Sequence, residues 1–334
     1  TEAQPLLQHA LNIREKVFGA VHPHVAYSLN ALAHFFHLQG QYTTAVHLNQ
    51  RALAIDTKLF GEKHVDVATD LNNEAMQYVG LGQYKQAEPL YQQAQDIYEK
   101  IFGNEHAYVA AVLTNRARLS LFLDCVTEAE VYSQRALTIM EQAVGRKHPR
   151  IALILNTIAR IALEQGHYTQ AETFFQEALD IQEQTLGKEH LHIAQNCIGL
   201  ARLYTEQKAY SQAESLYQRA LLIVEKRINS EHPDAALALQ GLAYLAFVQG
   251  RGEEAEALYK KTLCIQEQIL GIDHPLTVET LRGLASLYVT WGRGSDAVPL
   301  LQHALAICEH SLGANHKMTR EARTHYGDLL RAMV

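Results

Sequence analysis

A Gly-x-x-His tetrad returns every 42 residues along this chain without insertion or deletion. It stands at Gly19/His22, Gly61/His64, Gly103/His106, Gly145/His148, Gly187/His190, Gly271/His274 and Gly313/His316. Asn229 takes the Gly place before His232. From Gly19 to Gly313 the chain covers seven such periods. A fixed period of this size specifies stacked supersecondary units, each burying its apolar face only against its neighbours. The chain is therefore expected to fold as a solenoid, with function on a continuous surface rather than in one pocket.

Length alone, at 334 residues, would argue for two or three globular domains. The unbroken period overrides that expectation and predicts a single solenoid over 1–334. Apolar residues make up 48% of the chain and charged residues 19%, enough for a long core and too apolar for disorder. The net charge of −7 argues against a nucleic acid or membrane partner. Neither a run of 18 apolar residues nor the basic and apolar regions of a signal peptide occur. Cys125, Cys197, Cys264 and Cys308 lack metal-finger spacing and are expected to be free thiols, which fits a cytoplasmic protein. The chain opens on Thr1, and Glu2–Gly19 matches the second half of a repeat, while Lys317–Val334 matches a first half. Residues 1–18 are thus expected to be a lone second helix of a fragment, and 316–334 a terminal capping helix.

Seven repeats are expected to start near residues 22, 64, 106, 148, 190, 232 and 274. In the first, Val25, Ala26, Leu29, Leu32, Ala33 and Phe36 form a 3–4 ladder that predicts one helix face. Gly40 ends that helix, and a second runs from about Tyr42 to Gly61. Two helices and a short turn per period make an antiparallel hairpin array. Positions equivalent to 33 are alanine from Ala33 to Ala285, those equivalent to 45 are alanine from Ala45 to Ala297, and the 52 column departs only at Thr262. Such small residues let helix axes approach closely.

These small columns, with the turns Gly40-Gln41-Tyr42 and Gly82-Gln83-Tyr84, resemble tetratricopeptide repeats (TPR). The 42-residue length, with Leu71-Asn72-Asn73, Ala75 and Ala87-Glu88-Pro89-Leu90-Tyr91, resembles the kinesin-light-chain subfamily in particular. The resemblance covers the whole chain and implies an all-α, right-handed superhelical solenoid. Asp124-Cys125-Val126 and Lys208-Ala209-Tyr210 depart from the turn pattern, and no coiled-coil heptads accompany the repeats.

Eighteen histidines raise the possibility of a metal or general-base site. The eight tetrad histidines lie a whole repeat apart, so they cannot converge on one ion. Their place in the turn predicts a structural role, a ring nitrogen bonding backbone groups at a helix start. Proline after His22, His148, His232 and His274 supports a helix start there. No HExxH, GxxxxGK or GxSxG pattern is present, and no cysteine has a histidine partner legible in the sequence. The reading is a non-enzymatic protein without cofactor or metal.

The resemblance also implies that the first helix of each hairpin lines a concave groove, through columns 27, 30, 34 and 37 and part of 31. Asn30, Asn72 and Asn156 in column 30, with Asn73 and Asn115 in column 31, offer amides suited to a peptide backbone. Column 34 supplies Arg118, Arg160 and Arg202 in three successive repeats, and Tyr244 after them. Column 37 sets Leu121, Leu163 and Phe247 beside them. Basic and apolar columns together predict an extended protein or peptide partner with acidic and apolar side chains. A protein-interaction scaffold is the expectation. Alternatives are the sensor or regulatory array of a larger signalling ATPase or effector, and a motor-cargo adaptor. Within column 32, Glu74 and Arg116 interrupt a run of apolar residues and are expected to pair across the repeat interface.

Overall fold

A computed structural model of the protein describes residues 3–228 and 230–332. Asn229, Thr1, Glu2, Met333 and Val334 lie outside the described residues. Those described form sixteen α-helices and no strand. The chain begins with α1 (Ala3–Phe18), α2 (Pro23–Leu38), α3 (Tyr42–Phe60), α4 (Val65–Gly80), α5 (Tyr84–Phe102) and α6 (Ala107–Phe122). It continues with α7 (Val126–Val144), α8 (Pro149–Glu164), α9 (Tyr168–Leu186), α10 (Leu191–Glu206) and α11 (Tyr210–Arg227). The last five are α12 (Pro233–Val248), α13 (Gly252–Leu270), α14 (Thr277–Thr290), α15 (Gly294–Ser311) and α16 (Lys317–Ala332). Even-numbered helices are the first members of their hairpins.

The tetrad histidine directly precedes seven of the eight first helices, and at α14 it stands three residues before Thr277. In all eight, Nδ1 accepts the backbone N–H two residues on, at 3.1–3.3 Å, from His22 with His24 to His316 with Met318. One otherwise unpaired N–H of the first turn is thereby satisfied, as the sequence predicts for these residues. Phe18, Phe60 and Phe102 stack on His22, His64 and His106 with ring centroids 4.3–4.4 Å apart. The turn between the helices needs a left-handed residue. Gly40 supplies it at φ 72°, and Asp124 and Lys208 hold the same conformation, both at φ 60°, where the sequence departs from glycine.

Packing follows the small columns. Every alanine of columns 33 and 45 is fully buried. A second size match runs from three second helices, α9, α11 and α13, to the first helix that follows each. A Cβ built on Gly199, Gly241 or Gly283 would lie 2.4, 2.2 or 2.5 Å from the ring of Phe175, Tyr217 or Tyr259 respectively. Each aromatic ring thus occupies the space that a glycine leaves in the following repeat, as close-packed interiors require.

Contacts divide the chain into two compact units, Thr1–Ser120 with Val131–Gly145, and Leu121–Glu130 with Arg146–Val334. In the second unit α8 touches α10, α10 touches α12, and α12 touches α14; in the first, α2 touches α4. First helices therefore lie side by side along one face, which is the inner face of each unit.

The expected pairing of Glu74 with Arg116 does not form. Glu74 accepts from Gln50 Nε2 at 2.9 Å. Arg116 donates to Gln95 Oε1 at 2.6 Å and to the Tyr132 hydroxyl at 2.7 Å, with its guanidinium 4.4 Å from the Tyr132 ring centre. Equivalent positions in a translational repeat point the same way along the array. Both side chains therefore face the preceding second helix, and each finds a glutamine there.

Candidate functional site

The inner face of the second unit is built on helix positions that leave the core every three or four residues. Column 30 and its neighbours form rungs between adjacent first helices. Asn156 Nδ2 donates to Asn196 Oδ1 at 3.0 Å, Gln195 to Asp234 at 3.2 Å, Gln240 to Glu279 at 3.0 Å, and Arg282 to Glu321 at 3.1 Å. These amides thus hold helix to helix, a role that the sequence reading did not include.

Arg160 projects from α8 with its guanidinium 5.7 Å from the Phe122 ring centre. Arg202, on α10, is 49% exposed and lies 4.0 Å from Glu164. Partial desolvation on this face works against its charge, but Glu279, Glu164, Tyr217 and Glu206 outweigh this and raise its pKa. So Arg202 stands among acidic groups that the column analysis left out. Glu164 and Glu206 follow Arg160 and Arg202 at i+4, a spacing that places charges on one helix face and was legible in the sequence. Tyr244 and Val289 are each 46% exposed on the same face, and Val248 is exposed beside them. Leu163 and Phe247 are half-buried, packed against the core.

The circuit of first helices closes on itself. Lys317, at the start of α16, lies 4.0 Å from Glu164 at the end of α8. His316 Nε2 lies 3.0 Å from the Phe122 carbonyl oxygen. Because His316 Nδ1 accepts the Met318 N–H, its proton sits on Nε2, which donates to that carbonyl. Leu121, a predicted groove residue, adjoins this contact in the chain.

On the first unit, Asn30 accepts from Asn49 at 2.8 Å and donates to Asp70 at 2.5 Å, so both ends of its amide are engaged. Asn115 donates to Asn72 at 3.0 Å. Asn73 and Arg118 are half-buried on α4 and α6. The buried carboxyl pair Asp56 and Asp70 was not foreseen.

Two of the four thiols are poorly suited to nucleophilic chemistry. Cys197 and Cys308 are buried, and burial pushes both up to about 11, leaving them protonated near neutrality. Among the described residues no helix is long and apolar enough to cross a membrane.

Helix pairs repeating at 42 residues, with side-by-side first helices and a polar inner face, define a helix-hairpin repeat scaffold. The tetratricopeptide repeat model matches residues 1–58, 24–100, 66–124, 108–184, 151–226 and 233–310. The chain belongs to the tetratricopeptide repeat family, whose arrays typically serve protein–protein interaction. Similar solved structures include a Podosopora anserina kinesin light chain candidate with nearly identical TPR-like repeats. It is 25% identical, with TM-score 0.45, over 61% of this chain and 97% of that one. BtubC (BKLC) from P. vanneervenii is 18% identical with TM-score 0.51, over 70% of this chain and 92% of that one. The Rap conjugation gene regulator of plasmid pLS20, in complex with the Phr* peptide, is 15% identical with TM-score 0.69, over 86% and 75%. Comparison with curated proteins gave no match.

Proposed function

We propose that the protein is a non-enzymatic scaffold, and that the inner face of its second unit receives an extended segment of a partner protein carrying acidic and apolar side chains. One observation carries this reading. Exposed Tyr244, Val248 and Val289 stand on the inner-face positions of α12 and α14, in the same columns as Arg160 and Arg202 or next to them, and an exposed apolar patch rimmed by charged groups suits an interaction site. Arg160 and Arg202 are the carboxylate partners, with Arg202 standing among Glu164, Glu206 and Glu279. Tyr244 and Val289 take the apolar side chain next to them. Arg118, with Asn72, Asn73 and Asn115, offers the same chemistry on the first unit.

The test uses a fluorescein-labelled peptide of alternating Glu and Leu, with a Lys–Leu peptide as control. An arginine–carboxylate contact contributes about 1.5–3 kcal/mol, so Arg160→Glu should weaken the acidic peptide roughly tenfold or more. Tyr244→Ala should weaken both peptides, and Arg202→Gln should weaken the Glu–Leu peptide more than the Lys–Leu control. Affinity should also fall as salt rises. Equal affinity of a folded Arg160→Glu protein, without salt dependence, would move the binding surface off this face.

A further inference from the structure

In a repeat array each unit normally touches only its immediate neighbours. The second unit breaks that rule. Its first helices are linked α8 to α10, α10 to α12 and α12 to α14 by packing, and α14 to α16 by Arg282 and Glu321. The start of α16 then reaches back to the Phe122 carbonyl through His316, and to Glu164 through Lys317. A closed circuit of helices therefore surrounds the inner face that carries Arg160, Arg202, Tyr244 and Val289.

The closing contacts differ in kind from the rest of the circuit. Elsewhere successive hairpins share buried alanine columns and apolar clusters. Among the described residues the closure includes a neutral hydrogen bond and an ion pair at the outer limit of contact, with Lys317 53% exposed. Glu164 is shared, since Arg202 approaches its other oxygen at the same 4.0 Å. Polar contacts of this sort contribute little net free energy in water.

We propose that His316 and Lys317 form a latch that gates entry to the inner face of the second unit. The inference rests on the binding reading above for its purpose, but not for its test. Opening takes small changes at the hairpin interfaces, which accumulate around the circuit, and the loss of weak polar contacts that include those of His316 and Lys317. An open minor state is the one a partner segment enters. A partner carboxylate that draws Arg160 or Arg202 away from its present neighbours acts on the same charge cluster, which couples binding to the latch.

Access can be measured without any partner. Cys125 and Cys264 are the exposed cysteines, and serine replaces both; Cys197 and Cys308 are buried. Ser286→Cys then places a single exposed thiol on the inner face, on α14. The latch is opened by His316→Asn with Lys317→Glu. Asparagine keeps the helix N-cap but cannot reach Phe122, and glutamate suits the first turn of a helix while repelling Glu164. Labelling by a maleimide-polyethylene glycol of several kilodaltons is compared with labelling by N-ethylmaleimide. A closed state favoured about ten to one and shifted to parity gives roughly fivefold faster labelling by the large reagent, and little change for the small one. Equal rates for the large reagent would overturn the gate. A parallel rise for both reagents would also overturn it, because it would report unfolding rather than opening. Failure of the Glu–Leu peptide to bind any variant would instead count against the binding reading, leaving the labelling result to decide the gate.

Discussion

Asp70 is fully buried in α4, and Asp56 in α3 is 5% exposed beside it. Asn30 donates to Asp70 Oδ1, while Asp56 Oδ1 and Asp70 Oδ2 are buried with no other donor among the described residues, which a proton held on the Asp70 carboxyl and donated to Asp56 would satisfy. Burial pushes Asp70 up to about 8, Asn30 partly opposes this, and the Asp56 charge adds to it; burial likewise raises Asp56, to about 6. A folded-state pKa above the unfolded value near 4 stabilises the protein below that value, and the contribution is lost as pH rises through about 8. The substitution Asp70→Asn makes the donor permanent. Its carbonyl still accepts from Asn30, and its amide donates to an Asp56 oxygen whether that carboxyl is protonated or ionised. At pH 9 wild-type Asp70 is ionised and no donor remains, so the variant regains a hydrogen bond to a charged group, about 2 kcal/mol. At pH 5 the protonated carboxyl already donates, and the two proteins should match. Repeat arrays lose end units separately, so a single melting curve is a poor measure. Native-state hydrogen exchange at α3 and α4 amides reports the local opening free energy instead. Protection in the variant should exceed wild type by roughly 30-fold at pH 9 and match it at pH 5. An Asn variant that is less protected at pH 9, or a gain that does not change with pH, would refute the shared proton.

Other substitutions probe the remaining contacts. Gly241→Ala places a methyl against the Tyr217 ring and should destabilise the second unit by about 1–3 kcal/mol in urea, with Tyr217→Leu recovering part of the loss. Lys208→Gly removes a left-handed non-glycine residue and should raise the denaturation midpoint by the equivalent of about 1 kcal/mol. Burial and the Arg227 charge lower the pKa of His190, so its cap is intact above the ordinary histidine range and is lost as pH falls through the depressed value. His190→Asn should accordingly flatten that acid loss in a pH series of thermal midpoints.

The parts of the fold that were legible in the sequence are those encoded within one period. The alanine columns, the histidine caps and the two helices per repeat each depend on residues one to four positions apart, where helix geometry decides contact. The Glu74–Arg116 expectation failed because it treated equivalent positions as opposed, although a repeat turns both in one direction. Inner-face arginines were found through their column, but Glu164 and Glu206 were not, since they lie one position beyond the columns assigned to the groove. Neither the rungs formed by Asn156 and Gln240 nor the contact of His316 with Phe122 has a local signature. The first depends on the offset between neighbouring helices, and the second on the rotation summed over five hairpins.

That summation bears on how such a chain works. Three successive hairpin interfaces of the second unit, α9 with α10, α11 with α12 and α13 with α14, seat an aromatic ring over a glycine, a stiff element, and polar rungs join their first helices on the inner side. The ring-and-glycine contact resists sliding, because the interior is close-packed there. The rungs are exchangeable with water or with a bound peptide at small cost. Rotation about the stiff contact therefore opens or closes the inner side with little loss of core packing. A ligand that takes over rungs such as Gln240 with Glu279 acts on several interfaces at once, and their small rotations add at the latch. Positions on the inner rungs should thus set how readily the circuit opens, while the glycine and alanine columns set whether the circuit forms at all.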